Sequence, residues 1–155
     1  HERAARNIIP LCKIIIEKHK GKPSKVWESP TSFDDLKYTI SEFPGFGVGL
    51  TNMILRDFVT LGMIPQIKKT ASEMQKLQVK PDVHVKRVFY RSGLAEGESE
   101  RAALQAAKQY YEKCPMALDF AAFIIGVEYC GTSDCDKCPI GFRKDREKLC
   151  PRIEL

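Results

Sequence analysis

Between Arg3 and Lys20 the apolar residues Ile8, Leu11, Cys12, Ile15 and Ile16 recur at steps of three and four, the spacing that gathers side chains on one side of a helix. Gly21 follows as a stop, and Pro10 marks a place for a bend. Residues 22–30 read as a loop. Ser32, three residues ahead of Asp35, has the spacing of a capping start, and the helix it opens runs through Glu42. There the pattern breaks: Phe43-Pro44-Gly45-Phe46-Gly47-Val48-Gly49 alternates glycine with apolar residues and reads as a tight turn. A helix with Leu50, Met53, Ile54 and Phe58 on one side follows and closes at Gly62. Pro65 is expected to open another, running to about Leu77.

Lys80-Pro81-Asp82 punctuates the chain again, with Asp82 at a helix amino terminus and Val85, Val88 and Phe89 as the apolar face behind it. Gly93 and Gly97 separate this helix from two more, at 98–113 and 115–128, the second apolar nearly all round and so expected to be buried. The stretch Val79 to Val88 has strand-forming valines, but its proline and charges argue against a strand. The expected class is all-α, with a cysteine-rich loop appended.

Composition narrows the picture. The chain has 155 residues, 43% hydrophobic, enough for a packed core. No stretch approaches the roughly 20 apolar residues of a membrane span, and the start HERAARNIIP lacks a signal-peptide pattern. A soluble intracellular protein, cytoplasmic or nucleoid-associated, is expected, beginning inside a longer natural sequence since its first residue is His1. The net charge of +5 is unevenly spread: residues 50–91 carry 8 basic and 3 acidic side chains, whereas 92–129 carry 3 and 6. A positive middle suits a polyanion, although many soluble domains are this basic with no such partner.

Six cysteines fall into two sets. Cys12 and Cys114 sit in apolar helical surroundings and read as small buried hydrophobes rather than ligands. Cys130, Cys135, Cys138 and Cys150, spaced C-x4-C-x2-C-x11-C, crowd the carboxyl end as metal ligands do, whereas a disulfide framework would be spread through the chain. Four thiolates hold either a [4Fe–4S] cluster or zinc, and spacing alone does not choose. The glycine turn is equally open: its amides at the start of the next helix suit a phosphate, and the same glycines serve a plain αα-hairpin.

Taken in order, these segments resemble a known family. Phe43-Pro44-Gly45-Phe46-Gly47, with Thr51 and Asn52, resembles the helix-hairpin-helix of the endonuclease III superfamily of DNA glycosylases, L-P-G-V-G-x-K-T-A-N. Pro81-Asp82-Val83-His84-Val85-Lys86-Arg87-Val88, followed by Arg91-Ser92-Gly93-Leu94, is similar to its V-D-T-H-V-x-R-V-x-x-R-L-G-L segment, and the four cysteines resemble its iron–sulfur loop. The resemblance covers 43–150 and implies a helical domain over 1–128, with the helix-hairpin-helix at 33–61 and the catalytic segment at 80–94. A cluster loop would occupy 129–155, and the amino-terminal part of the family fold would be missing.

The same resemblance implies base-excision repair on double-stranded DNA by a monomer. Asp82 would be the catalytic carboxylate, Cys130, Cys135, Cys138 and Cys150 would hold a [4Fe–4S] cluster, and Gly45, Gly47, Gly49, Lys86, Arg87, Arg143 and Lys144 would contact DNA. His84 would be structural. A carboxylate suits the chemistry because breaking an N-glycosidic bond builds positive charge on the sugar, although Asp82 also stands where any helix cap would. The family's Schiff-base lysine falls on Gly49, so a monofunctional glycosylase is expected unless an amine such as Lys68, Lys69 or Lys86 substitutes. The segment from Asn52 to Asp82 is longer than the family's by about one helix. A DNA-binding module without catalysis is the rival expectation.

Overall fold

The computed structural model describes residues 2–141 and Cys150, and among them every regular element is helical. The chain divides into two compact units, residues 1–77 and 78–155.

The first unit opens with α1 (Glu2–His19), which stops where Lys20 and Gly21 take positive φ, and continues with the single turn α2 (Lys25–Glu28). Ile8 and Ile16 of the α1 stripe are 59% and 66% exposed and Cys12, expected to be buried, is exposed as well, so this face is not part of the unit's core. His19, at the end of α1, stacks on Phe43. Helix α3 (Phe33–Ser41) starts where expected, because Ser32 accepts the Asp35 N–H. Helix α4 (Val48–Thr60) packs against it, and Phe33, Leu36, Ile40, Phe43, Leu55 and Val59 are buried.

Past Gly62 the structure departs from the pattern. The expected helix over 65–77 shrinks to one turn, α5 (Ala71–Met74). Thr70 caps it by accepting the Glu73 N–H, while Ile64 and Ile67 turn into the core from irregular chain. Glu73 then reaches back over forty residues, its carboxylate accepting the Phe33 N–H at 2.9 Å. That bond ties the irregular stretch to the start of α3.

The second unit is built around α6 (Val83–Arg91), which packs on α7 (Glu100–Tyr110) and α8 (Ala117–Ile125). Val85, Val88 and Phe89 of α6 join Val79, Ala95, Ala103, Ala106, Ala107 and Ala122 in one buried cluster. Three alanines on α7 allow the helices to approach closely. The expected helix at 115–128 is α8 plus a π-helical turn, Gly126–Cys130, and it is only partly buried: Phe120 is 66% exposed. A 3-10 turn, Cys135–Lys137, follows.

Candidate functional site

The glycine turn is laid out as the sequence suggested. Gly45 has φ +91°, a left-handed conformation that glycine adopts freely, and a Cβ there would meet the Asn7 side chain at 2.4 Å. Gly47 is the residue before α4; it is extended, brings no side chain to cap the helix and faces open space. Val48, Gly49 and Leu50 form the first turn of α4, whose amides have no partner inside the helix. Thr51 and Asn52 are buried behind them.

In the other unit, Asp82 stands before the first residue of α6. Its Oδ1 accepts the N–H groups of His84 at 2.9 Å and Val85 at 3.0 Å, and its Oδ2 lies 3.6 Å from Lys80 Nζ. The side chain is 18% exposed, so the carboxylate is held in place yet still meets solvent. His84 packs edge-on against Phe123, and its Nδ1 is buried with no hydrogen-bond partner among the described residues. Lys86 and Arg87 are half-buried on the same helix. Arg143 and Lys144 lie outside the described residues.

No family model, curated protein or solved structure matches this chain.

The four carboxyl-terminal cysteines belong to one neighbourhood. Burial pushes the Cys130 thiol above its ordinary value, and the nearby Cys138, Cys150 and Cys135 push it further, with Arg91 opposing. Cys138 is raised chiefly by burial, against the amides of Ile140 and Gly141 turned on its sulfur. Arg91 fastens both ends of the segment: its guanidinium donates to the Cys130 carbonyl at 3.3 Å, and its own carbonyl accepts the Cys150 thiol at 2.9 Å. A Cβ on Gly141 would stand 2.3 Å from the Cys135 carbonyl oxygen, so this loop closes tightly only with glycine there. Among the described residues, no three His, Cys, Asp or Glu side chains stand as a ready-made ligand set. The donor chemistry is of the kind a thiolate-bound metal takes: four thiols near the carboxyl end, amides of Ile140 and Gly141 on the Cys138 sulfur, and a close approach of Gly141 to the Cys135 carbonyl.

Among the described residues, one cleft of about 260 Å3 is lined by residues between His19 and Thr39 and another of about 630 Å3 by Gln78 and the outer face of α7. No described helix is long and apolar enough to cross a membrane. Sequence reasoning missed Asp119, a carboxylate 1% exposed in the first turn of α8 that accepts the Lys80 N–H at 3.1 Å. Only its place in an otherwise apolar helix set it apart in the sequence.

Proposed function

We propose that this chain is a monofunctional DNA glycosylase domain acting in base-excision repair, with Asp82 as its catalytic carboxylate. The observation that carries the reading is Asp82 itself: one oxygen is fixed by two amides and the other is left beside Lys80, in a half-buried setting. A carboxylate so held is positioned in advance to stabilise a sugar cation, or to orient a water that attacks it, without reorganising as the bond breaks.

Duplex DNA would be held through its phosphates, which the uncapped first turn of α4 suits, with Lys86 and Arg87 and the basic residues Arg143 and Lys144 adding charge. Gly49 occupies the place where a Schiff-base amine would be expected, so water rather than protein would take the sugar. Cys130, Cys135, Cys138 and Cys150 would hold a [4Fe–4S] cluster, or zinc in its place, whose contribution is to fix the carboxyl-terminal loop rather than to enter the reaction.

A panel of duplexes, each carrying one defined lesion or mismatch, assayed for abasic sites by alkali, tests the proposal. At least one duplex should lose its base without strand cutting. Asp82→Asn keeps an oxygen that can cap α6 but removes the charge, so base release should fall by orders of magnitude while DNA binding and helix content hold. Borohydride trapping of wild-type protein on DNA would overturn the monofunctional assignment. Equal rates for Asp82→Asn and wild type would reduce Asp82 to a helix cap. A second reading, a DNA-binding module without catalysis, is favoured by Gly49 in place of the Schiff-base lysine and by the long stretch from Asn52 to Asp82. A panel that binds but never reacts would select it.

A further inference from the structure

Asp119 is a buried charge to which the chemistry above gives no task. At 1% exposure its carboxylate has left water, which is costly unless a strong partner compensates. Its Oδ2 accepts the backbone N–H of Lys80 at 3.1 Å. The Lys80 carbonyl in turn accepts the N–H of Asp82 at 2.8 Å, a tight turn around Pro81, whose ring limits the backbone between them. Asp82 then binds the two amides of α6. An unbroken series of hydrogen bonds thus runs from the first turn of α8 to the carboxylate that caps α6.

The other end of α8 fixes the same segment from the far side. A Cβ on Gly126 would stand 2.7 Å from His84 Cβ and 2.8 Å from the His84 carbonyl oxygen, so the backbones meet there in direct contact. Helix α8 therefore grips the chain two residues before Asp82 and two residues after it.

We infer that Asp119 is a positioning residue for Asp82, a buried carboxylate that sets where the catalytic carboxylate points by holding the Lys80 amide. The inference rests on the glycosylase reading for its kinetic consequence, but not for its structural one. A carboxyl oxygen gives the Lys80 amide an acceptor inside the core, and the first turn of a helix is a favourable place for an acidic side chain, which is why aspartate suits this place. A misplacement of about 1 Å at a reacting group is enough to cost on the order of 100-fold in rate.

Two variants test it, Asp119→Leu, which keeps the volume without an acceptor, and Asp119→Asn, which keeps an acceptor oxygen without the charge. On the lesion duplex that wild type processes best, Asp119→Leu should lower the single-turnover rate of base release on the order of 100-fold while the duplex Kd stays within about twofold. Asp119→Asn should recover most of that loss. Hydrogen exchange supplies a readout independent of catalysis: the Lys80 and His84 amides should be protected in wild type and in Asp119→Asn, and exposed in Asp119→Leu. A wild-type rate in Asp119→Leu overturns the inference, and so does a Lys80 amide that exchanges freely in wild type, a result that needs no variant to fold. If wild type reacts with no duplex but the exchange pattern is as expected, the glycosylase reading fails and the positioning contact stands.

Discussion

Two glycines two residues apart in the hairpin turn carry different loads. Gly45 is held at φ +91° against Asn7, so any side chain there strains the backbone and displaces a neighbour. Gly47 is extended and faces open space, so a side chain there costs the fold little. The two positions separate folding from binding. Gly47→Leu should weaken duplex binding by roughly tenfold, about 1.4 kcal/mol, by obstructing the first-turn amides of α4. The dependence of log Kd on log salt should keep its slope, because no cation has been removed. Gly45→Leu should lower Tm as well as affinity. A Gly47→Leu protein that binds as wild type does would remove the hairpin from the interface, and an affinity that ignores salt would argue against a phosphate partner altogether.

At the scale of elements, the contact that most decides the path of the first unit is carried by a single side chain outside any long helix. Glu73 holds the Phe33 N–H at the start of α3 and pairs with Lys76, which also reaches Asp34. Its carboxyl is held below the ordinary 4.5, first by the hydrogen bond from Lys76 and next by the Phe33 amide. A lowered folded value means stability that is complete above the unfolded value and is lost as pH falls through the folded one. Glu73→Ala should therefore cost about 1–2 kcal/mol near neutrality, since it removes an ionised acceptor from a backbone donor. Urea melts at neutral pH and below pH 4.5 should show the gap between wild type and variant closing on acidification. A gap that does not change with pH would mean that the bond acts without its charge.

That contact also shows where the sequence was readable. Ser32 and Asp82 each cap a helix, and a side-chain oxygen followed by an apolar period is a local signal that needs nothing from the rest of the fold. The helix over 65–77 was misread because Pro65 and the later apolar spacing favour helix locally, whereas Thr70 caps a later start and the fold uses Ile64 and Ile67 as core from irregular chain. Nothing within a few residues of Glu73 or Asp119 points to Phe33 or Lys80, forty and thirty-nine positions away. The close approach of Gly126 to His84, where the π turn begins, was hidden for the same reason, since the partner lies far off in sequence. Asp82 itself is legible as a cap, and the catalytic role proposed for it rests on resemblance alone.

For the whole molecule, the division at residue 77 assigns the parts differently. The glycine turn belongs to the first unit, while Asp82, Asp119 and all four carboxyl-terminal cysteines belong to the second. A metal centre at those cysteines would therefore stabilise one unit directly. Arg91 ends α6 and bonds to both Cys130 and Cys150, and Cys130 closes the π turn that extends α8, so the centre and the Asp82 segment share the same two helices. Binding energy for a metal held only by the folded state is folding energy. Anaerobically purified protein should be brown, with iron and sulfide in cluster proportion, and removing the metal should raise hydrogen exchange in α8 and its π turn before it does so in α3 and α4. Colourless protein with one zinc per chain would replace the cluster but keep the ligands. Cys138→Ser should lose metal and weaken the second unit alone. If metal-free protein exchanges in α8 as slowly as the loaded form, the cysteines fasten the loop as plain thiols, and the Arg91 contacts hold the carboxyl end without a metal.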